Sequence, residues 1–398
     1  MNCNVNDTLL SIRVRRIEPS ATVKVTGTAI KLKNQGRDII NLGAGEPDFD
    51  TPYPIKQSAI AAIRQGFTKY TQVGGTDVLK EVIIQKLKRD NHLDYEPNEI
   101  IVSNGAKQSI YNAVMAVLNA RDEVIIPAPY WVSYPSIVKM AEAVPVIVKT
   151  TFLQNFKLTP QKLKKAITEK TRLIILNSPS NPSGAAYSRL ELETLAKILL
   201  QHPKVFILSD DIYEYILWGQ DYFTNIINVC PKLRDRTVVI NGVSKAFAMT
   251  GWRIGYAAGP KIIIQAMEKI QSQSTSCPNT IAQAAAITAL KYNRNDFNYM
   301  YKAYKMRHDL ILNKLNEMKN VRCLSASGAF YLFPDMTEVI KRLGFLSDIE
   351  FSTYLLDKAN IAVVPGSAFG FPGYIRLSCT ASNAILRKAM NRLTTVLQ

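Results

Sequence analysis

The chain is predicted to be an α/β protein, with a mostly parallel central sheet covered by helices on both faces and a smaller α+β domain beside it. Three observations carry this prediction. Short apolar runs ending in turn residues alternate with helical periodicity through the middle of the chain. Those runs are β-branched and apolar, as strands of a doubly covered sheet are. The last hundred residues break the alternation, with a long helix, short strand-like pieces and a closing helix.

Taken in order, the candidate strands are Glu99–Val102, Glu123–Ile126, Arg172–Leu176, Val205–Leu208, Thr237–Ile240 and Gly255–Ala258. Helices fit between them at Lys107–Leu118, Trp131–Ala141, Leu190–Leu200 and Lys261–Gln271. A helical pattern runs from Tyr301 to Met318. Strand-like pieces follow near Val321–Leu324, Ala329–Phe333, Ala362–Val364 and Tyr374–Leu377, and the helix Ser382–Leu397 closes the chain. A large domain is expected at residues 50–295. The small domain is expected to combine 1–49 with 296–398.

Composition sets bounds on function. At 398 residues, the chain is long enough for two domains, and 47% hydrophobic with 20% charged residues is ordinary globular usage. A net charge of +17 raises the question of nucleic acid, but the basic residues are spread along the chain. The densest stretch, Lys162, Lys164, Lys165, Lys170 and Arg172, alternates with Leu163, Ala166 and Ile167. It reads as a solvated helix face, with an anion-binding patch as the alternative. No nucleic-acid partner is expected. Cysteines 3, 230, 277, 323 and 379 include no CxxC pair, and an odd count suits a reducing compartment. Met1–Pro19 has no apolar core of signal-peptide length, and no stretch of 18 apolar residues exists, so a cytoplasmic protein without membrane contact is expected. His92, His202 and His308 lack metal-ligand spacing, and there is neither a GxSxG elbow nor a Walker A motif. No metal is expected.

In open α/β sheets ligands bind beyond the carboxyl ends of the strands. The residues just past the candidate strands are Ser103–Lys107, Tyr130–Trp131, Asn177–Asn181, Asp210–Tyr213 and Ser244–Lys245, which predicts one site on one sheet edge. A Lys just after a buried strand, as Lys245 is, loses ammonium stability on burial and becomes a nucleophilic amine. Taken alone, such a Lys is more often a surface residue. Arg253, among small neighbours, suits bidentate phosphate binding or a structural role. Asp210 can pair with a cationic ring nitrogen or cap the next helix. Tyr213 can reach a cofactor oxygen or simply pack. Asn177–Gly184, pinned by two prolines and a glycine, is more rigid than a connection requires, and Asn181 before Pro182 is biased to an extended backbone. Small residues in Ser103–Gln108 let backbone N–H groups approach a phosphate at a helix N-terminus. Trp131 can stack on an aromatic cofactor or fill the core. Arg376, inside an apolar strand, wants a partner: a substrate carboxylate or a structural carboxylate.

At these residues the chain resembles the class I aminotransferases of fold type I. The stretches that carry the resemblance are Gly43–Pro52 (GAGEPDFDTP), Asn177–Gly184 (NSPSNPSG), Ser209–Tyr213 (SDDIY) and Ser244–Gly255 (SKAFAMTGWRIG). Within the class, Pro129–Pro135 (PYWVSYP) looks like the bacterial aspartate branch called Ib, several of whose members also use prephenate. The resemblance implies pyridoxal 5'-phosphate as cofactor, bound covalently by Lys245, which also shuttles the proton. It implies that Asp210 faces the pyridine nitrogen and that Tyr213 and Asn181 bond the phenolic oxygen. Trp131 would stack on the ring, and Gly105, Ala106 and Arg253 would hold the phosphate with Tyr70 from a second subunit. Gly45, Asn181 and Arg376 would take the α-carboxylate, and Lys107 the distal one. A homodimer with shared sites is implied, with Gln271–Pro278 approaching from the other subunit. The implied reaction is amino transfer from L-aspartate to 2-oxoglutarate, with an aromatic amino acid or prephenate as the alternative substrate. One departure concerns prephenate: users of it carry a basic residue before Pro-Ser-Ala-Thr, where this chain has Glu18. A carboxylate there repels a second substrate carboxylate, with Arg15 and Arg16 nearby to offset it.

Overall fold

The computed structural model describes residues 9–219 and 222–398; Cys3 and the first eight residues of the Met1–Pro19 segment lie outside them. In chain order, β1 is Ile40–Asn41, β2 Ile100–Ser103, β3 Glu123–Ala128, β4 Val144–Lys149, β5 Thr171–Asn177, β6 Phe206–Asp210, β7 Thr237–Gly242 and β8 Gly255–Ala258. Seven of these form the central sheet in the order β2-β8-β7-β6-β5-β3-β4. All neighbours pair in parallel except β8, which is antiparallel to both β2 and β7. The expected α/β architecture is therefore present.

Strand composition explains the layering. Ile100, Val102, Ile174, Leu176 and Ile207 face one apolar layer, while Ile101, Leu173, Ile175 and Leu208 face the other. Successive side chains point to opposite faces, so near-continuous apolar strands bury both. Helices Ala106–Val117, Ser133–Met140 and Lys261–Ser272 cover the second face, contributing Ile110, Val114, Val138, Ile264 and Met267. The first face is covered in part by helices Asp77–Asn91 and Arg189–Leu200, through Leu79, Ile83, Leu195 and Leu199. Helix Arg189–Leu200 opens on a reciprocal cap, in which the Ser188 and Glu191 side chains each bind the other's backbone N–H.

Two strand expectations need correction. The edge strand β4 was not among the expected strands. Pro145 lies within it, and proline is tolerated there because an edge strand leaves one row of N–H groups without a ladder partner. Val321–Leu324, expected as a strand, is not one. The Asn316 side chain occupies the Cys323 backbone on both sides, accepting from its N–H at 2.9 Å and donating to its carbonyl at 3.1 Å. Only an isolated bridge between Arg322 and Asp335 remains.

The rest of the C-terminal region contains β9 (Tyr331–Leu332), β10 (Ile361–Ala362), β11 (Val364–Pro365) and β12 (Ile375–Ser378). An antiparallel sheet runs β11-β12-β9, and β1 pairs in parallel with β10, so the N-terminal segment packs with the C-terminal one. Among the described residues no helix is long and apolar enough to cross a membrane.

Candidate active site

The carboxyl ends of β5, β6 and β7 open onto a cavity of about 310 Å³. Its wall includes Gly45, Ala106, Lys107, Trp131, Asn181, Asp210, Tyr213, Lys245, Arg253 and Arg376. The antiparallel setting of β8 brings Arg253 here: Gly255, the first residue of β8, lies beside Ser103 and Gly242, so what precedes the strand reaches the edge that other strands reach by their ends.

Lys245 follows β7 in a turn closed by Phe247 N–H to Val243 O and Met249 N–H to Ser244 O. Its Nζ donates to the Gly45 carbonyl at 2.6 Å. Burial lowers its pKa to about 8; Glu46 and Asp210 pull it back up, while Arg376 and Arg253 push it further down.

Asp210 ends β6 and is 4% exposed. Its Oδ2 accepts from the Tyr134 hydroxyl at 2.5 Å and its Oδ1 from the Ile212 N–H at 3.4 Å. Burial raises its pKa to about 6, against the lowering by these two hydrogen bonds and by the Lys245 charge. The helix-capping alternative does not hold, because turns and not a helix follow β6. The neighbouring rigid loop fixes the Asp210 backbone: Asn177 Nδ2 donates to its carbonyl at 2.9 Å, and Asn177 Oδ1 accepts from Asn181 N–H at 2.9 Å.

Arg376, in β12, is 2% exposed. Its guanidinium donates to Asn181 Oδ1 at 2.9 Å and to the Gly43 carbonyl at 2.5 Å, and it lies 4.4 Å from the Tyr331 ring centroid. Its Nε has no partner. Among the described residues it forms no ion pair, so the structural-carboxylate alternative has no support. A buried guanidinium with donors to spare costs free energy until an anion reaches it.

At the other end, helix Ala106–Val117 begins after Gly105 with no side-chain cap. Gln108 N–H turns back to the Gly105 carbonyl at 3.0 Å, which leaves the N–H groups of Ala106 and Lys107 as the free donors of the first turn. Gly105 has φ +84, and a Cβ there would overlap the Arg253 guanidinium. Arg253 is exposed, and it donates to the Thr250 carbonyl at 2.9 Å and weakly to the Asn104 carbonyl at 3.4 Å. Together they set a guanidinium beside free N–H donors, a combination that suits an anion. Lys107 lies 5.0 Å from the Trp131 ring centroid, and burial followed by Arg253 lowers its pKa.

Tyr213 donates to or accepts from Tyr331 through their hydroxyls at 2.9 Å. Burial, then Tyr331, pushes its pKa well up. Gly105 and Tyr70 are the two expected residues outside the cavity lining; Gly105 adjoins it, packed against the Arg253 guanidinium, whereas Tyr70 is 90% exposed and stands apart. Glu18 is exposed and outside the lining, although Ser20, Thr22 and Val23 close to it are inside.

Sequence reasoning missed Tyr134, Tyr331 and the Asn177 side chain. Tyr134 and Asn177 lie inside stretches that had been singled out, but nothing in a single sequence tells a hydroxyl aimed at Asp210 from a packed tyrosine. Tyr331 arrives from β9, whose site-facing edge only the tertiary fold defines.

The profile of the family described as "Aminotransferase class I and II" matches residues 37–393. The aspartate/prephenate aminotransferase of Nitrosomonas europaea is 54% identical over 98% of this chain and 99% of its own length. The aspartate aminotransferase of Bacillus sp. is 49% identical over 97% and 98%. Among solved structures, the aspartate aminotransferase of Rhizobium meliloti superposes with a TM-score of 0.93 at 45% identity, covering 98% of both chains. That of Thermus thermophilus with maleate gives 0.92 at 42% identity, covering 97% of this chain and 99% of its own.

Proposed function

The chain belongs to the class I and II aminotransferases, and from that premise we propose that it transfers the amino group of L-aspartate to 2-oxoglutarate, giving oxaloacetate and L-glutamate. The observation that carries the proposal is the buried, carboxylate-free Arg376 facing the same cavity as Lys245 and Asp210.

The residues fit pyridoxal phosphate. An uncapped helix end beside Arg253 suits its phosphate, a buried carboxylate its ring nitrogen, and a half-buried amine its aldehyde. When bound, that group supplies the electron sink that amino transfer needs. Lys245 would hold it through Nζ, and its amine, freed when the substrate's amino group takes its place, would accept the proton leaving the substrate α-carbon and pass it to the cofactor. Asp210, kept in orientation by Tyr134 and the Asn177 loop, faces the ring nitrogen and holds its proton. Tyr213 and Asn181 bond the phenolic oxygen, and Trp131 stacks on the ring. Gly105, Ala106 and Arg253 bind the phosphate, with Tyr70 of the partner subunit. Arg376, with Gly45 and Asn181, fixes the α-carboxylate, and Lys107 reads the distal carboxylate. In this reading the protein is a cytoplasmic homodimer with shared sites, divided into a large domain at 50–295 and a small one at 1–49 with 296–398. The 90% exposure of Tyr70 supports the shared site, since a side chain so placed is free to reach another copy.

Steady-state rates over a grid of both substrates test this. Ping-pong kinetics are expected, and Arg376→Lys should lower kcat/KM for aspartate and 2-oxoglutarate together by about 10²–10³-fold through loss of the bidentate fork. An unchanged kcat/KM in that variant contradicts the assignment. Prephenate is the second reading, favoured by the 54%-identical relative named for both substrates.

A further inference from the structure

One side chain joins the strand leading into the phosphate cradle to the loop that bears Tyr70. Gln271, in helix Lys261–Ser272, is 0% exposed and makes four hydrogen bonds, the full capacity of a primary amide. Its Nε2 donates to the carbonyls of Val73 at 2.7 Å and Val102 at 2.8 Å. Its Oε1 accepts from Ser103 Oγ at 2.7 Å and Asn112 Nδ2 at 3.0 Å. Carbonyls only accept, so the amide has one possible orientation.

The place of these bonds matters. β2 is the edge of the central sheet, and its open side is paired by the Tyr70 loop: Val102 N–H donates to the Gly74 carbonyl at 2.9 Å. The next rung would need a donor for the Val102 carbonyl, and Gln271 supplies it while gripping Val73 on the loop side. Other buried groups hold the rest of the loop. Gln283, also 0% exposed, accepts from Thr76 N–H at 2.9 Å and donates to Thr71 Oγ1 at 3.1 Å. Glu268 accepts from Gly74 N–H at 3.2 Å. A loop held this firmly nevertheless displays an aromatic residue to solvent. Along the chain, Gly105 follows Val102 by three residues and Tyr70 precedes Val73 by three.

We propose that Gln271 is a positioning residue that sets two phosphate-binding elements at once: the Ser103–Ala106 turn of its own site, and the Tyr70 that its subunit offers to a second copy. This rests on the shared-site reading above. Replacing the amide by an isosteric apolar chain keeps the volume but leaves two buried carbonyls without donors, so the loop must move away from β2 to hydrate them.

Mixed dimers carrying two different tags test it, with Lys245→Ala silencing one site. In one arm, Gln271→Met is placed in the subunit that keeps Lys245. In the other, it is placed in the silenced subunit, so that the working site contains no altered residue of its own chain. The readout is the rate at which pyridoxal phosphate leaves the working site in cofactor-free buffer, followed by its visible band. Both arms are expected to lose cofactor about tenfold faster than the Lys245→Ala/wild-type reference. Gln283→Met, which loses bonds to the loop and to the Pro278 carbonyl but none to β2, is expected to act in the second arm alone. Loss confined to the first arm, or cofactor retention at the reference rate in both, overturns the proposal even where thermal stability falls. If Gln271→Met does not fold, Gln271→Glu replaces it in the same arms. Tyr70→Phe in the silenced subunit is the control: faster loss supports the shared site, and no effect defeats that reading and this proposal together, by a signature distinct from an inert Gln271.

Discussion

At the scale of single residues, the site moves the titration of its ionisable groups away from where water would set it. Lys245, with its pKa brought to about 8 mainly by burial, is largely protonated at pH 7 and loses its proton within the ordinary working range. Only the neutral amine has a lone pair for the cofactor's aldehyde. Cofactor-free protein mixed with pyridoxal phosphate should therefore develop its visible band faster as pH rises, about tenfold per unit below pH 8 and levelling above it. A flat or falling profile in stopped-flow absorbance would contradict the burial argument. The placing of Lys245 and Arg376 in the cavity was legible in sequence because a charged residue at an apolar strand or its end demands a reason. The restraint on Asp210 was not, since it comes from Tyr134, 76 residues away in the chain.

At the scale of elements, strand ends, loops and one bare helix start define the site. Helix Ala106–Val117 lacks a capping side chain, and Gly105 is required by both its φ of +84 and the guanidinium against it. Gly105→Ala forces a Cβ into the positive-φ region, at about 1–2 kcal/mol, and displaces Arg253. The expected result is weaker cofactor retention in equilibrium dialysis, with the secondary structure in circular dichroism unchanged. Tight retention in that variant would remove the cradle from the account. The elements themselves were largely readable, because β2, β5, β6, β7 and β8 are apolar runs with clear turn signals. β4 was hidden by Pro145, and the Val321–Leu324 run failed because the Asn316 side chain took the backbone groups a strand would have used. What could not be read was direction: that β8 runs against its neighbours, and so delivers Arg253 to the cavity, follows from the sheet and not from the run of residues.

At the scale of the whole molecule, the cavity is closed by segments far apart in the chain. Ser20, Thr22 and Val23 from the N-terminal part line it opposite β5, β6 and β7, and Tyr331 and Arg376 come from the C-terminal sheet. Substrate choice belongs to this scale, because Ser20, Thr22 and Val23 of the N-terminal segment share the cavity wall with Lys107, the residue proposed to read the distal carboxylate. Glu18 stands just before that lining, exposed. Glu18→Lys should raise kcat/KM for prephenate by roughly threefold to tenfold while leaving aspartate nearly unchanged, as reversing one charge from repelling to attracting across a solvated gap does. Equal effects on both substrates would assign Glu18 no part in the discrimination. The most direct measurement of the central claim follows the purified protein's cofactor band during a half-reaction. Aspartate alone should bleach the visible band once per site and release one oxaloacetate, 2-oxoglutarate should restore it, and Lys245→Ala should show neither change. A wild-type band indifferent to aspartate, or a Lys245→Ala protein that cycles normally, would contradict the account.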